Sequence, residues 1–177
     1  MDLTPLSSAS APVELLLLRH GIAEDRGGAI PDAARALTAR GRQRSRAVLQ
    51  RLLERDLRAV RLLSSPLRRA RETAELALSA GLAPSLELAE ALAPGGEALA
   101  ALPAWLESLE APDGASPRLL LVGHEPDLST LAARLIGAPP GSLELRKAGL
   151  AVLRLPRSAA PGQASLRLLL SPRLLIG

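Results

Sequence analysis

Two short, wholly apolar runs stand out along the chain, and each one leads into a turn that carries a histidine. Residues 15–18 run into His20 and residues 119–122 run into His124, and the sequence contains no other histidine. A short apolar run that ends at glycine and polar residues is typical of a strand buried on both faces. Ligand-binding and catalytic groups of open α/β sheets collect beyond the carboxyl ends of such strands. A single histidine there more often caps a backbone group, but the repeated context predicts one crevice for both imidazoles.

The rest of the chain alternates strand-like and helix-like patterns. Helices are predicted after Thr38 and over 65–80, 97–110 and 125–136, and a long polar loop is predicted over 21–37. This alternation predicts an α/β fold, a three-layer sandwich with a mostly parallel sheet and helices on both faces. The last two strands are expected to form an antiparallel hairpin at the sheet edge. The predicted strands are 13–18, 60–64, 86–88, 118–122, 150–155 and 166–170.

Several residues mark the predicted ends of the helices. Thr38 is expected to cap one helix, and Ser65 another, with Pro66 in its first turn. Gly137 is expected to end the helix that follows His124. Pro103 is expected to break or kink the helix in which it lies.

Length and composition limit the number of domains and the kinds of functional site that the chain can have. The 177 residues suffice for a single domain over 13–177, with residues 1–12 as a loose leader. The absence of cysteine excludes disulfides, thiolate metal sites and cysteine nucleophiles. Two histidines without a His-Glu-x-x-His spacing predict no metal site, and no cofactor is expected. No signal-peptide pattern or membrane-length apolar run is visible, so a cytoplasmic protein without membrane contact is expected.

The formal net charge of +4 comes from a surplus of arginine. Nucleic-acid binding by a chain of this size is expected to use aromatic stacking platforms or a recognisable groove-binding motif. The sequence has no Phe or Tyr and a single tryptophan, Trp105. Nucleic acid is therefore not an expected partner.

The predicted strand ends bring cationic and imidazole side chains to one edge of the sheet. Arg19 precedes His20, and Arg68 and Arg69 both lie in the first turn of the helix after the second strand. A helix N-terminus already favours anions, and a guanidinium adds bidentate phosphate binding. A neutral histidine can act as a nucleophile that forms a covalent intermediate. This edge therefore predicts a site for a phosphoryl dianion.

The motifs at these strand ends resemble those of the histidine phosphatase, or phosphoglycerate-mutase-like, superfamily. The short length and the residues around His124 look most like SixA-type phosphohistidine phosphatases. The resemblance spans about 15–137. It is carried by Arg19-His20-Gly21, by Ser65-Pro66-x-x-Arg69-Ala70-x-x-Thr73 and by Gly123-His124-x-Pro126.

The resemblance implies a role for each matching residue. His20 would be phosphorylated in a covalent intermediate, and His124 would be the second catalytic histidine. Arg19, Arg69 and His124 would bind the phosphoryl oxygens. Arg68 and Arg71 are expected to be exposed surface charge, and Thr73 a packing or supporting residue.

In the mutase branch of this superfamily, a carboxylic acid follows the third strand. This sequence lacks an acid at that position, although it resembles the branch otherwise. Pro94 stands where that acid is expected. Glu90 and Glu97 lie nearby and are candidates to replace it, although a surface carboxylate is the commoner role. Imidazole leaves more easily than an alkoxide, so the missing acid favours a phosphohistidine substrate.

The resulting hypothesis is a metal-independent phosphatase that acts on phosphohistidine in a partner protein. Two alternatives stay open: a phosphatase of small phosphomonoesters, and a module that binds phosphate or phosphoprotein without turnover.

Overall fold

A mixed β-sheet forms the centre of the molecule. The computed structural model describes residues 12–27, 29–110 and 115–177. The predicted leader and part of the segment before the fourth strand therefore lie outside the described residues. Within the described ranges the strands are β1 (Val13–Arg19), β2 (Arg61–Ser64), β3 (Leu86–Leu88), β4 (Arg118–Gly123), β5 (Leu150–Leu155) and β6 (Ser165–Leu170).

The order of the strands across the sheet is β3-β2-β4-β1-β5-β6. β1 and β2 each pair with β4 in parallel, and β3 pairs with β2 in parallel. β5 is antiparallel to both β1 and β6. The predicted α/β class, the mostly parallel sheet and the C-terminal hairpin are confirmed.

Helices cover both faces of this sheet. They are α1 (Ala39–Glu54), α2 (Arg68–Ser79), α3 (Ala98–Glu107), α4 (Asp127–Ile136) and α5 (Pro172–Ile176), with 3-10 turns at Asp32–Ala34 and Glu90–Leu92. Alternate residues of a strand point to opposite faces, so Leu15 and Leu17 join one apolar cluster with α3 and α4. Leu16 and Leu18 join a second cluster with α1, α2 and α5. Because both clusters are buried, the central strands are apolar throughout.

The structure confirms some of the predicted helix ends and contradicts others. Thr38 Oγ1 accepts a hydrogen bond from the Gly41 N–H at 3.0 Å, which confirms the predicted cap. Gly137 ends α4 in the left-handed conformation, with φ of 72°. α3 continues through Pro103, with fully buried leucines at 102 and 106 on its inner face. The predicted break at this proline was therefore wrong.

The predicted cap of α2 was also wrong. α2 begins at Arg68 with Leu67 as its N-cap residue, and no side chain caps it. Ser65 lies outside the helix, where its hydroxyl accepts a 3.3 Å hydrogen bond from the Leu67 N–H. Its other hydrogen bond is to a histidine, as described below.

α5 was missed, because five residues are too few to show a helical period. Among the described residues, no helix combines the length and apolar character that a membrane crossing requires.

Candidate active site

The register of the parallel strands places the two histidines side by side. Arg19 at the end of β1 pairs with Gly123 at the end of β4, so the next residue on each strand is a histidine. The His20 N–H donates to the Gly123 carbonyl at 3.1 Å. The two imidazole centroids are 5.1 Å apart, with their planes at 55°. The structure therefore brings the two imidazoles together at one edge of the sheet, as the sequence predicted.

His20 is buried and has a hydrogen bond on each ring nitrogen. Nδ1 lies 2.7 Å from the Gly21 carbonyl oxygen, which can only accept, so Nδ1 must carry the proton. Nε2 accepts from the Arg69 Nε–H at 3.3 Å and is the nitrogen with the lone pair. Burial lowers the pKa of His20 to about 3; the bond to Gly21 opposes this change, and nearby His124 and Arg69 add to it. The ring is neutral at pH 7, with a nucleophilic Nε2.

Arg69 is the cation closest to this nitrogen. Its side chain is only 1% exposed, in the first turn of α2. Its two terminal amino groups donate to Asp32, one to the backbone oxygen at 2.8 Å and one to Oδ2 at 3.1 Å. These bonds orient the guanidinium so that Nε points at His20. Asp32 belongs to the polar loop after β1, and no motif pointed to it in the sequence.

The neighbouring arginines of α2 point elsewhere. Arg68 pairs with Glu72 at 2.9 Å and Arg71 pairs with Glu75 at 3.4 Å. Both arginine side chains are about half exposed. The structure thus brings Arg69, and neither neighbour, to the histidines.

His124 is buried against Ser65, a residue whose contact with the site the sequence did not reveal. Its Nε2 lies 2.8 Å from Ser65 Oγ. Ser65 Oγ can either donate its proton to Nε2 or accept a proton from it. When it donates, the His124 proton resides on Nδ1, which is buried and has no hydrogen-bond partner in the described part of the chain. Burial and the nearby Arg69 lower the pKa of His124 to about 4, so this ring is also neutral at pH 7.

Arg19 lies at the end of β1 with its guanidinium half-buried. One terminal amino group donates to the Leu145 carbonyl at 2.8 Å. Its Nε–H is buried and has no partner among the described residues. Burial lowers the pKa of Arg19, but the group remains a cation, since a guanidinium starts so far above neutrality. Arg19 therefore brings a cation to the lining of the pocket that His20 shares.

Thr73 connects the turn after His20 to α2. Its hydroxyl accepts from the Gly21 N–H at 3.1 Å and donates to the Arg69 carbonyl at 2.7 Å. A side chain at Gly21 would bring its Cβ within 2.3 Å of Ser45 Oγ, so the turn requires glycine. Thr73 is thus a supporting residue, which fixes the His20 turn relative to the helix that carries Arg69.

A pocket of about 310 Å³ opens beside His20. Within the described ranges, no group of three or more His, Asp or Glu side chains is arranged to hold a metal ion. The pocket is lined by Arg19, His20, Ala23, Glu24, Asp25, Arg26, Arg35, Glu125 and Lys147.

Comparisons with known proteins agree with this geometry. The family model of the histidine phosphatase superfamily (branch 1) matches residues 15–94. An uncharacterized protein of Picosynechococcus sp. is 42% identical over 93% of this chain and 99% of its own. The protein histidine phosphatase SixA, solved in complex with tungstate, is 27% identical with a TM-score of 0.77, over 92% of this chain and 99% of that chain. The chain belongs to the histidine phosphatase superfamily.

A more distant neighbour shares the fold. The mycobacterial glucosyl-3-phosphoglycerate phosphatase is 19% identical with a TM-score of 0.65, over 89% of this chain and 98% of that chain. This histidine phosphatase is accordingly a hydrolase with a histidine nucleophile.

The carboxylates of this histidine phosphatase are placed differently from the sequence expectation. Glu90 and Glu97 are exposed, and neither is among the residues that line the pocket beside His20. Glu97 lines a separate pocket of about 200 Å³ together with Asp127. Glu125, which directly follows His124, does line the His20 pocket, and burial raises the pKa of its carboxyl group. Its position after the second histidine was the signal that could have found it.

Neither imidazole should titrate between pH 5.5 and 8 in the folded phosphatase, because burial holds the two pKa values at about 3 and about 4. Between pH 6.5 and 3 the unfolded chain then binds more protons than the folded one. The free energy of unfolding should therefore keep its highest value above pH 6.5 and should fall as the pH drops from 6.5 to 3.

The measurement is a proton NMR titration of the Cε1–H signals in protein without a histidine tag, where two resonances are expected. The variant His20→Gln/His124→Gln should show a weaker loss of stability in acid. A midpoint near 6.5 for either histidine would contradict the neutral pair.

Proposed function

We propose that this phosphatase removes the phosphoryl group from phosphohistidine in a partner protein, with His20 as the nucleophile. The observation that carries the proposal is the unprotonated Nε2 of His20, which is buried and faces the Arg69 guanidinium. A neutral nucleophile beside fixed cations suits attack on an anionic phosphoryl group, since it adds no negative charge to the site.

The reaction consists of two transfers. His20 Nε2 forms a bond to phosphorus as the P–N bond of the substrate breaks, and the substrate imidazole leaves with the electron pair of that bond. When the distal nitrogen of the substrate ring carries a proton, imidazole leaves as a neutral molecule. Water then attacks the phosphorus, and the bond from phosphorus to His20 Nε2 breaks with its electron pair returning to Nε2. The protons of the water leave with the phosphate product and solvent, and His20 returns to its neutral form.

In this proposal three side chains hold the phosphoryl oxygens during both transfers. Arg69 and Arg19 supply guanidinium N–H groups, and His124 supplies the N–H at Nδ1 that the Ser65 hydroxyl bond leaves free. Such donors stabilise a phosphoryl transition state most strongly when they are fixed before the reaction. Here Asp32, Leu145 and Ser65 fix one of them each.

The proposed substrate class rests on the leaving group. The two acids suggested by the sequence, Glu90 and Glu97, are exposed and away from the pocket lining. An alkoxide leaving group needs general acid help worth roughly a hundredfold or more, whereas imidazole leaves with little help. A phosphohistidine side chain is therefore the favoured substrate.

Glu125 favours a second candidate, a phosphatase of small phosphate esters. Its carboxyl group lines the pocket with His20, and its raised pKa would help it hold a proton for an alkoxide. The substrate comparison below separates these two candidates.

Truncation of Arg19, Arg69 or His124 to alanine should each slow phosphoryl transfer about a hundredfold, because one oxygen of the transition state loses its donor. Combined losses should be smaller than the product of the single losses, since the three groups serve one phosphoryl group. The measurement is the single-turnover rate with an activated aryl phosphate, alongside circular dichroism to verify folding.

Arg68→Ala and Arg71→Ala are the matched controls from the same helix and should keep nearly the wild-type rate. Glu72 would still pair with Arg42 in the first control. If Arg68→Ala strongly lowered the single-turnover rate and Arg69→Ala left it unchanged, the phosphate-binding role would have been given to the wrong arginine.

The wild-type enzyme should have a higher kcat/KM for a phosphohistidine protein than for sugar phosphates. Glu125→Gln should leave hydrolysis of phosphohistidine nearly unchanged, because imidazole needs no protonated carboxyl group to depart. Equal or higher efficiency on sugar phosphates, lost in Glu125→Gln, would instead establish the small-ester alternative.

A further inference from the structure

A second and larger pocket adjoins the site on the side of Arg19. Its volume is about 480 Å³, and five of its eight lining residues are cationic. No acidic residue lines it, whereas the pocket beside His20 has three. We call it the cationic pocket; its basic residues are Arg19, Arg44, Arg146, Lys147 and Arg173.

Most of these cations have no counter-ion among the described residues. Arg146 pairs with Glu144 at 3.1 Å on the surface. Arg44, Lys147 and Arg173 have no carboxylate within 4.0 Å among the residues that the structure describes. Cations that share a concave, partly dry surface repel one another and raise the local concentration of anions. The pocket is therefore suited to an anionic ligand.

The surroundings of Arg44 support this conclusion. It lies on α1, lines the cationic pocket and is half-buried as a residue. Many other arginines of α1 and α2 are compensated by carboxylates, for example Arg42 by Glu72 and Arg71 by Glu75. A partly buried arginine that lacks such a partner can bind an anion at a smaller desolvation cost than an exposed one.

The cationic pocket is adjacent to the phosphoryl site. Arg19 and Lys147 line both pockets. The Ala148 N–H, next to Lys147, lies 3.1 Å from the carbonyl oxygens of both Arg19 and His20, which ties this segment to the end of β1. A substrate whose phosphoryl group lies at His20 can therefore extend into the cationic pocket.

We propose that the cationic pocket binds acidic side chains that flank the phosphohistidine of the partner protein. This inference rests on the proposed function and adds a selectivity for acidic surroundings. The cations come from α1, the segment before β5 and α5, so they are spread widely enough for several carboxylates. Ile22 and Pro172 add apolar wall, which suits a peptide better than a compact second phosphate.

The test compares two synthetic phosphohistidine peptides, one flanked by glutamates and one by glutamines at the same positions. For the wild-type enzyme we expect a KM about tenfold lower for the glutamate peptide, with similar kcat, and a preference that fades as salt is added. The variant Arg44→Glu/Arg173→Glu should lose this preference. Its kcat/KM for free phosphohistidine should stay at the wild-type value, since neither residue belongs to the phosphoryl site.

Arg167→Glu/Arg154→Glu is the matched control, because it makes the same change in net charge with exposed arginines on β6 and β5 that do not line the cationic pocket. It should keep the preference for the glutamate peptide. A loss of preference in this control as well would overturn the inference in favour of a general charge effect.

Two other results would overturn the inference in different ways. Equal KM values for the two peptides in the wild-type enzyme would show that the cationic pocket does not recognise acidic flanks, while the proposed function stands. If Arg44→Glu/Arg173→Glu weakened only the hydrolysis of a small bisphosphate, the pocket would bind a second phosphate and not acidic side chains. Failure of the wild-type enzyme to hydrolyse any phosphohistidine substrate would reject the proposed function itself.

Discussion

The in-register parallel pairing of β1 with β4 is the constraint on which the site depends. It aligns Arg19 with Gly123, so the histidine that follows each strand emerges at the same height on the sheet edge. β2 pairs with the other side of β4, and the Ser65 N–H donates to the Val122 carbonyl at 2.9 Å. A shift by one residue would turn each side chain to the opposite face of the sheet. The buried leucines on both faces of these strands therefore fix the active site as well as the core.

Burial gives the paired histidines their chemistry. The same desolvation that keeps both rings neutral also makes the nearby guanidinium groups costly to bury. Arg69 meets this cost through its two bonds to Asp32, a carboxylate that remains half exposed to solvent. Arg19 donates to one backbone carbonyl through a terminal amino group, and its Nε–H has no partner among the described residues. This hydrogen bond of Arg19 is not to a carboxylate, so its positive charge stays available to a bound phosphoryl group.

Features that depend on a local sequence pattern could be predicted from the sequence. The strands, the Thr38 cap and the stop at Gly137 follow from periodicity and helix-end preferences. His20 and His124 could be selected because each lies next to a strand end. Arg69 was distinguished from Arg68 and Arg71 by its position in the motif that resembles the family's, just before Ala70.

Features that depend on side-chain direction could not be predicted in the same way. The hydroxyl of Ser65 can cap a helix or bond an imidazole, and only the packing of β2 against β4 selects the second. Asp32 reaches Arg69 through the path of a long loop that has no periodic pattern. Glu90 and Glu97 are near the expected position of an acid along the chain. Both are exposed, and neither lines the pocket that Glu125 lines.

The central claim is that the buried His20 presents an unprotonated Nε2 to the phosphoryl group while Nδ1 stays bonded to Gly21. The most direct measurement is phosphorus–nitrogen coupling in the NMR spectrum of the phosphoenzyme, trapped from protein labelled with ¹⁵N at its histidines. The account predicts that phosphorus is coupled to Nε2 of His20, and that the signal is absent from His20→Gln. Coupling to Nδ1 of His20, or to either nitrogen of His124, would contradict it.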